Sequence, residues 1–315
     1  MRVLVCGGAG FIGSHLVDRL LGEGHAVTVV DDLSHGQPEH LQEAMATGGC
    51  ELVKVSVTDP SLPDVFAAAA PEVVYHLAAQ IDVRISVANP LLDASTNVLG
   101  TVAVLEAARR AGSRKVLFAS SVAIYGPPAR LPVTEDFPAN PLSPYAVSKL
   151  SGEYYLRQYH DLHGLQTTTL VLTNTYGPRQ DPHGEAGVVS IFTDAMLAGR
   201  PTRVFGGGTN TRDYVYVTDV VDAFVRAGAD VAAGERLHIA TGTATTDLEL
   251  NRAVAAAVGG AGEPEFAPAR LGDLPDMVVD ASRAARVLGW TPRVSLAEGI
   301  ARTVEAARAA GQPVL

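Results

Sequence analysis

Three glycines spaced three residues apart follow a short β-branched run at the start of the chain. The run is RVLVC, and the segment after the glycines has apolar residues at helical spacing. A strand, a tight turn and a helix start therefore coincide. Glycine lets the backbone approach a phosphate closely, and the free N–H groups at a helix N-terminus attract anions. The pattern predicts a dinucleotide pyrophosphate site. Its predicted residues are Gly7, Gly10, Phe11, Ile12 and Gly13.

Short β-branched runs and longer helical patterns continue to alternate through the first half of the chain. The last are a helical pattern over residues 144–163 and the apolar run QTTTLVLT, after which the pattern becomes irregular. Such alternation is typical of a parallel sheet covered on both faces. We therefore predict an α/β protein with a Rossmann-type doubly wound parallel sheet in residues 1–174. Residues 175–315 are predicted to form mainly a smaller α/β substrate-binding lobe, with some segments returning to the first domain.

Composition excludes several other classes of protein. Of the 315 residues, 47% are hydrophobic and 18% are charged, which excludes a disordered chain. The 24 basic and 34 acidic residues give a net charge of −10, which argues against a nucleic-acid partner. Cys6 and Cys50 are too few for a disulfide framework, and no His/Cys spacing is typical of a metal site. No apolar run reaches the ~20 residues of a membrane span. We expect a cytoplasmic protein without metal or membrane contact.

Asp31 and Asp32 end the second predicted strand, AVTVVDD. Asp31 follows Gly13 at close to the ~20-residue spacing expected for the acid that binds an adenosine ribose. A carboxylate at this place would repel the 2′-phosphate of NADP, so we predict NAD as the cofactor. Asp32 as the ribose ligand, or a plain polar strand exit, remain alternatives.

The segment SPYAVSK places Tyr145 and Lys149 four residues apart, on one face of a predicted helix. A phenol with a pKa near ~10 is a poor base at neutral pH, so it needs a nearby cation. Lys149 supplies one, in a chain whose only other lysines are Lys54 and Lys115. Ser121, at the end of the predicted strand KVLFASS, would share the same substrate oxygen. We predict that these three side chains, Ser121, Tyr145 and Lys149, form a proton-transfer site.

In its order of motifs the chain resembles the extended short-chain dehydrogenase/reductase superfamily, and within it the NAD-dependent nucleotide-sugar epimerases. The matching blocks cover nearly the whole chain: GGAGFIGSHLVDRLL, HLAAQIDVR, FASSVAIYG, SPYAVSK, NTYGPRQDPHGEAGVV, NTRDYVYVTDV and RLGDL. The resemblance implies that Tyr145 is the general base, Lys149 its activator and Ser121 its partner. It places further residues at the cofactor: Leu77, Ala78, Ala79, Gln80 and Asn97. It places others at the nucleotide diphosphate of the substrate: Asn174, Val188, Val189, Arg212, Arg270 and Asp273.

The resemblance implies a redox-neutral epimerisation at C4 of a nucleotide sugar, through a transient 4-keto intermediate. The residues VAI after Ser121 lack the carboxylate that related dehydratases and decarboxylases place there. Asp181 and Glu185 near the presumed cleft favour a neutral sugar, UDP-glucose or UDP-galactose. One alternative is a UDP-glucuronate 4-epimerase with Arg84 or Arg179 at the sugar carboxylate. Another is a non-catalytic NAD-sensing protein.

Several positions depart from the family pattern. Ser56 stands where many relatives carry an Asp at the adenine amino group, and Ala123 replaces a frequent Thr. Gly207 and the stretch Pro275-Asp276-Met277 also differ. Most of these departures lie near the substrate, so they bear on the sugar more than on the chemistry.

Two predicted helices carry more apolar residues than one core-facing stripe requires. They span residues 91–111 and 144–163. A second apolar face on a helix is typical of an interface, and the dimers of the family resemble this arrangement. We predict a homodimer whose interface includes Val98, Val102, Leu105, Leu150 and Tyr154 or Tyr155.

Overall fold

The computed structural model describes residues 1–183, 187–260, 262–269 and 276–311. The strands of these ranges are β1 (Arg2–Cys6), β2 (Ala26–Val30), β3 (Cys50–Val53), β4 (Val73–His76), β5 (Lys115–Ser121), β6 (Gln166–Leu172), β7 (Asn174–Tyr176), β8 (Arg203–Phe205), β9 (Thr211–Arg212), β10 (Tyr214–Tyr216), β11 (Arg236–Ile239), β12 (Thr245–Thr246), β13 (Glu265–Ala267) and β14 (Asp276–Met277). The α-helices are α1 (Phe11–Gly22), α2 (Gln42–Ala46), α3 (Leu62–Ala69), α4 (Val83–Ala88), α5 (Pro90–Asp93), α6 (Gly100–Arg110), α7 (Pro144–His163), α8 (Val188–Leu197), α9 (Val217–Ala227), α10 (Asp247–Val258), α11 (Ser282–Leu288) and α12 (Leu296–Ala309). Short 3-10 helices lie at Pro38–Leu41, Val122–Tyr125 and Gly206–Gly208, and a π-helix lies at Ala94–Leu99.

Seven strands form one parallel sheet in the order β11-β6-β5-β4-β1-β2-β3. The chain order reverses at β1, because β2 and β3 lie on one side of it and β4 lies on the other. Such a switch point leaves a crevice at the carboxyl ends of the strands, where doubly wound folds bind their ligands. The predicted Rossmann-type sheet is confirmed, and the strands of the first half lie where the sequence predicts them.

Helices cover both faces of this sheet, which explains why its strands are continuous apolar runs rather than alternating ones. Val3 and Val5 of β1 pack in one layer, together with residues of α1 and α9. Leu4 and Cys6 of the same strand pack in the other layer, together with residues of α3, α6 and α7. Successive side chains of β1 therefore enter opposite layers of the core.

Leu105 belongs to the second of these core layers, so the prediction that it contributes to an outer interface is wrong. Its side chain is 0% exposed and faces the sheet. Val98, Val102 and Leu150 are half-buried. Tyr154 and Tyr155 are exposed, as a surface role requires.

The second half of the chain forms small sheets of its own and also returns to the main sheet. The pairs β10-β7 and β13-β8 and the three-stranded sheet β12-β9-β14 lie outside the seven-stranded sheet. β11 pairs with β6 at the edge of the main sheet. The division of the chain at residue 174 stays a prediction.

The stretch Pro90–Arg110 is continuously helical through α5, the π-helix and α6. It has 21 residues and, by length and composition alone, could cross a membrane. No apolar run of this length was predicted from the sequence. In the structure, 44% of the most apolar part of this stretch is buried. Core helices of globular domains meet the same criterion, and Val104 and Leu105 of this stretch are fully buried.

A buried carboxylate joins the second lobe to the edge of the main sheet. Asp213, directly before β10, is 1% exposed. Its Oδ1 accepts hydrogen bonds from the Thr241 N–H at 2.9 Å and the Thr241 hydroxyl at 2.7 Å. Its Oδ2 accepts one from the Gly242 N–H at 2.7 Å. Because Thr241 and Gly242 follow β11, Asp213 fixes the chain where it leaves the sheet.

We expect Asp213→Asn to lower the free energy of unfolding by about 2 kcal/mol, because the new amide sets an N–H donor against a backbone N–H that needs an acceptor. Urea unfolding measures the change. Asp230→Asn is the matched control: the Asp230 side chain is 77% exposed and pairs with Arg114 at the surface. Its effect should stay within about 0.5 kcal/mol. Equal losses for the two variants would contradict the role given to Asp213.

Candidate active site

The glycine turn is so tight that side chains are excluded from it. Gly7 follows β1 with a φ of 80°. A Cβ on Gly13 would lie 2.0 Å from the Gly7 carbonyl oxygen, and one on Gly7 would lie 2.6 Å from the Ala78 nitrogen. α1 begins after Gly10, and no side chain caps its first N–H groups. The turn therefore offers space and backbone donors at a helix N-terminus, which fits the predicted pyrophosphate.

Phe11 and Ile12 are the first two residues of α1, and both pack partly buried against the core. The Phe11 ring meets the His15 ring edge to face at 6.0 Å. These side chains support the start of the helix. Any contact that Phe11 and Ile12 make with a phosphate would therefore come from their backbone N–H groups.

Asp31 lies beyond the carboxyl end of β2 and is 8% exposed. Its Oδ2 accepts a hydrogen bond from the Ala9 N–H at 2.9 Å, and its Oδ1 accepts one from the Leu33 N–H at 2.9 Å. Burial raises the pKa of Asp31, and these hydrogen bonds act against the rise. A Cβ on Gly36 would lie 2.7 Å from Oδ1, so this glycine leaves the carboxylate uncrowded. Asp32 is exposed, so burial beside the turn favours Asp31 as the ribose ligand.

The segment after β4 is held by one buried amide. Asn97 lies in the π-helix and is 3% exposed. Its Oδ1 accepts a hydrogen bond from the Gln80 N–H at 2.8 Å, and its Nδ2 donates to the Gln80 carbonyl at 2.9 Å. Leu77, Ala78 and Ala79 lead up to this anchor and are half-buried. Asn97 therefore fixes the backbone of the predicted cofactor segment.

Ser121, Tyr145 and Lys149 meet at the carboxyl end of β5. Ser121 is the last residue of this strand, and its side chain lowers the pKa of Tyr145. The Ser143 hydroxyl caps α7 and Pro144 occupies its first turn, which fixes where the helix begins. This start places Tyr145 and Lys149 one turn apart, with the Lys149 Nζ 5.9 Å from the centre of the Tyr145 ring.

The ammonium group of Lys149 is held in the interior. The residue is 4% exposed, and its Nζ donates a hydrogen bond to the Ala119 carbonyl at 3.0 Å. The Nζ also lies 5.0 Å from the centre of the Phe118 ring. Burial lowers the pKa of Lys149 to about 8, and the carboxylates of Asp93 and Glu153 act against this fall.

Tyr145 holds its proton firmly in this setting. Burial raises the pKa of Tyr145 to about 12, the hydrogen bond with Ser121 lowers it, and the Asp93 carboxylate raises it. A phenolate at this position needs a cation, and Lys149 lies one turn along the same helix. The geometry therefore suits a tyrosine that takes up and returns a proton while a lysine stabilises its charged form.

Two predicted substrate ligands come together at one edge of the second lobe. Asn174 begins β7, is exposed, and pairs in register with Tyr214 of β10. Its N–H donates to the Asp213 carbonyl at 3.0 Å. Arg212, two residues before Tyr214, is half-buried, and its Nη1 donates to the Thr211 carbonyl at 2.8 Å. The structure thus places Arg212 beside the strand that carries Asn174.

Val188 and Val189 begin α8 with different exposures. Val188 is half-buried, whereas Val189 is 1% exposed and packs in the core. The Val189 side chain therefore does not face a ligand, and any contact it makes with a substrate comes from its backbone. Four further residues of the predictions lie outside the described residues: Glu185, Arg270, Asp273 and Pro275.

The two arginines considered for a sugar carboxylate have different surroundings. Arg84 is exposed on α4. Arg179 has a φ of 66°, and its Nη1 donates to Asp18 Oδ2 of α1 at 2.7 Å. The charge of Arg179 is thus paired with a carboxylate of the protein. Asp181 is exposed, and its Oδ1 accepts a hydrogen bond from the His183 N–H at 2.8 Å.

Three of the departures from the family pattern can be related to the structure. Ser56 Oγ lies 3.0 Å from Thr58 Oγ1. Gly207 has a φ of 80°, a conformation that disfavours a side chain. Asp276 Oδ1 accepts a hydrogen bond from the Thr211 hydroxyl at 2.6 Å, which joins β14 to β9 beside the predicted diphosphate ligand of β9.

Sequence reasoning missed the buried polar groups that surround the predicted catalytic side chains. Asp93, Ser148 and Glu153 are 1%, 2% and 5% exposed. Asp93 precedes Asn97 by four residues, and Glu153 follows Lys149 by four. Residues at this spacing share a helix face, so the signal was present in the sequence.

We expect the protein to bind NAD more tightly than NADP, and Asp31→Ala to narrow the ratio of affinities by about tenfold or more. The reason is that a buried carboxylate repels the 2′-phosphate. Isothermal titration calorimetry with both dinucleotides measures the ratio. Asp32→Ala is the matched control and should leave the ratio unchanged. If only Asp32→Ala changes the ratio of NAD to NADP affinity, Asp32 is the residue that binds the ribose.

Residues 3–240 match the NAD dependent epimerase/dehydratase family. The chain is 55% identical over 306 residues to the UDP-glucose 4-epimerase of Mycolicibacterium smegmatis, which covers 97% of this chain and 98% of that relative. This likeness confirms the predicted superfamily and the prediction of an enzyme.

Two solved structures are similar over nearly their whole length. The UDP-glucose 4-epimerase of Thermotoga maritima, solved with UDP-glucose, has a TM-score of 0.95 at 43% identity and covers 98% of this chain and 99% of its own. The UDP-glucose 4-epimerase of Thermus thermophilus, solved with NAD, has a TM-score of 0.91 at 41% identity and covers 99% and 100%. Because the family match over residues 3–240 includes the sheet, the glycine turn and helix α7 alike, the chain belongs to the NAD dependent epimerase/dehydratase family.

Proposed function

We propose that this protein interconverts UDP-glucose and UDP-galactose by NAD-dependent epimerisation at C4. The observation that carries the proposal is the meeting of Ser121, Tyr145 and Lys149 at the carboxyl end of β5, on the edge of the sheet that also carries the glycine turn. Similar proteins from three organisms bear the name UDP-glucose 4-epimerase, which supports the same reaction and substrate.

The residues present fit NAD. The turn from Gly7 to Gly13 would hold the pyrophosphate, Asp31 the adenosine ribose and Lys149 the nicotinamide ribose. A Cβ at Gly7 or Gly13 would clash with the backbone, so glycine at these two positions leaves space beside the turn for a pyrophosphate. When bound, NAD supplies the group that accepts a hydride from the sugar and later returns it.

The residues of the chain manage the proton in this reaction. As a phenolate, Tyr145 accepts the proton of the sugar O4 hydroxyl while C4 becomes a ketone. Ser121 holds the same oxygen, and the Lys149 ammonium stabilises the phenolate. When the opposite face of C4 is reduced, Tyr145 returns its proton to O4. Proton and hydride are both given back, so no reagent is consumed.

The segment after Ser121 favours epimerisation over elimination. The Ser121 hydroxyl accepts a hydrogen bond from the Ala123 N–H at 3.2 Å and begins the 3-10 helix Val122–Tyr125. Ile124 in this helix is fully buried. The segment therefore places no carboxylate beside the reacting sugar, and loss of water or carbon dioxide lacks its acid.

The surroundings of Arg179 favour a neutral sugar. A uronate needs a cation that is not already paired, because an unpaired carboxylate in a desolvated cleft costs several kcal/mol. Arg179 forms an ion pair with Asp18 at 2.7 Å. A neutral hexose needs only hydrogen-bonding partners at C6, so we favour UDP-glucose and UDP-galactose over UDP-glucuronate.

We expect the purified protein, supplied with NAD, to convert UDP-glucose into UDP-galactose, and Tyr145→Phe to lower kcat by about 10²-fold or more. Only the phenolic oxygen that carries the proton is removed. Chromatography of the two UDP-sugars measures turnover. Tyr159→Phe, on the same helix with its hydroxyl 3.3 Å from Glu106, is the matched control and should keep the parent rate.

Two results would overturn parts of this proposal. A Tyr145→Phe variant whose kcat lies within about threefold of the parent value would contradict the role given to Tyr145, since a positioned acid–base group contributes more. A preference of about tenfold or more in kcat/KM for UDP-glucuronate over UDP-glucose, about 1.4 kcal/mol of transition-state discrimination, would replace the neutral sugar by a uronate. The second result would direct attention to Arg84 and Arg179.

We further propose that the protein is a homodimer. α4, the stretch Pro90–Arg110 and α7 pack against one another. They carry exposed apolar residues: Val83, Val87, Leu91, Leu92, Leu99, Val147, Tyr154, Tyr155 and Leu162. An apolar patch of this kind is typical of an interface, and a second copy under twofold symmetry presents a matching one. The same pairing gives the exposed half of the apolar stretch Pro90–Arg110 a protein partner.

The cytoplasm remains our proposed location. Cys6 is buried, Cys50 is half-buried, and both are free. Free thiols are typical of reducing compartments, which supports this location.

We expect light scattering to give twice the chain mass of 32.8 kDa at micromolar concentration. The double substitution Leu91→Glu with Tyr154→Glu should give a single chain, because burying the new charges in the interface is costly. Phe266→Glu, at a residue 59% exposed in the second lobe, is the control and should leave the dimer intact. A parent protein with the mass of one chain would reject the dimer.

A further inference from the structure

We propose that Asp93 is a positioning residue for helix α7: it orients the first turn of this helix through two buried side chains, Asn97 and Ser148, and its negative charge acts on Lys149. Asp93 is the last residue of α5 and is 1% exposed. Burying a charge is costly, so a carboxylate here needs partners that benefit from it. The proposal rests on the catalytic roles proposed above for Tyr145 and Lys149.

A chain of hydrogen bonds leads from Asp93 to the turn that carries the base. Asp93 Oδ1 accepts a hydrogen bond from Asn97 Nδ2 at 3.0 Å. The same Nδ2 donates to Ser148 Oγ at 3.1 Å, and the Ser148 hydroxyl donates to the Tyr145 carbonyl at 2.9 Å. Asp93 Oδ1 also accepts a hydrogen bond from Gln80 Nε2 at 3.1 Å. One carboxylate oxygen therefore connects the segment after β4 with the first turn of α7.

The titratable groups around Lys149 come from several elements. They are Tyr145 and Glu153 on α7, Asp93 on α5 and His76 on β4. Burial, and then the Lys149 ammonium, lowers the pKa of His76 to about 3, so this ring is neutral near pH 7. Glu153 forms an ion pair with Arg236 of β11 and accepts a hydrogen bond from the Ser120 hydroxyl.

Asp93 differs from Glu153 in what its charge acts on. The hydrogen-bond donors to Asp93 Oδ1 are side-chain amides, which are neutral, whereas Glu153 is paired with a guanidinium. Of the two carboxylates, Asp93 has the larger effect in raising the pKa of Lys149. Asp93 also raises the pKa of Tyr145.

The sign of the effect on catalysis follows from these two influences. Removing the charge of Asp93 lowers the pKa of both Lys149 and Tyr145. The pH profile of kcat/KM has two limbs, which report the ionisations of Tyr145 and Lys149 as an interacting pair. Both limbs should therefore move to lower pH when the charge is removed.

The first test observes Lys149 directly and does not depend on turnover. With isotope-labelled lysine, the chain shows only Lys54, Lys115 and Lys149 in an NMR spectrum, and Lys149→Met assigns the third signal. In Asp93→Asn, which keeps the shape and one acceptor oxygen, the Lys149 titration midpoint should fall by about one pH unit. The Lys115 midpoint should stay as in the parent. A Lys149 midpoint equal to that of the parent would refute the electrostatic role.

The second test separates Asp93 from the other carboxylate near Lys149. The pH profile of kcat/KM should shift to lower pH on both limbs in Asp93→Asn, but on a single limb in Glu153→Gln, whose carboxylate raises the pKa of Lys149. A uniform loss of rate with both limbs unmoved would mean that Asp93 is merely structural. If Tyr145→Phe keeps its rate, the proposed function fails, and the NMR midpoint still decides what Asp93 does to Lys149.

Asp93→Glu keeps the proposal testable if Asp93→Asn does not fold. The longer carboxylate restores the charge but displaces the oxygen that holds Asn97. We expect the Lys149 midpoint to stay near the parent value while kcat falls by about tenfold, the effect expected of a misplaced supporting group. An undiminished kcat would contradict the positioning role.

Discussion

The proposed catalytic site depends on one interaction above all, the stabilisation of the buried Lys149 ammonium. An ammonium that is 4% exposed loses most of its hydration, and the cost appears as a pKa lowered to about 8. The protein offsets this cost with the Ala119 carbonyl, the face of Phe118 and the carboxylates of Asp93 and Glu153. An ammonium that remains charged in a desolvated interior interacts strongly with a phenolate one turn away. The same desolvation that makes the lysine costly therefore makes it effective.

The topology of the sheet explains why motifs from distant parts of the sequence reach this lysine. In a parallel sheet the carboxyl ends of the strands lie on one edge, so the glycine turn after β1, Asp31 after β2 and Ser121 at the end of β5 share that edge. A Cβ on Gly7 would lie 2.6 Å from the Ala78 nitrogen, so the exits of β1 and β4 are in direct contact. The close approach of these two loops is the reason that glycine is required at this position.

Features that depend on local spacing could be predicted from the sequence. The turn from Gly7 to Gly13 and the start of α7 before Tyr145 depend on neighbouring residues, and they lie where predicted. Pairings across the chain could not be predicted in this way. Arg236 reaches Glu153 only because β11 returns to the sheet beside β6, and no local pattern marks that return. Leu105 was misassigned for a related reason: hydrophobic spacing identifies two apolar sides of a helix but not which side meets the sheet.

The stretch Pro90–Arg110 shows how one apolar helix serves the interior and the surface together. Its inward side carries Asp93 and Asn97, which are 1% and 3% exposed, and its outward side carries Leu91 and Leu99, which are 82% and 58% exposed. The π-helical turn Ala94–Leu99 lies between α5 and α6, and such turns recur at functional sites because they shift side chains out of the regular helical register. With a second copy seated on the outward side, as proposed, the stretch that carries Asp93 would be packed on both of its sides. The proposed interface would then support the helical stretch that carries Asp93, and through Asp93 the ammonium of Lys149.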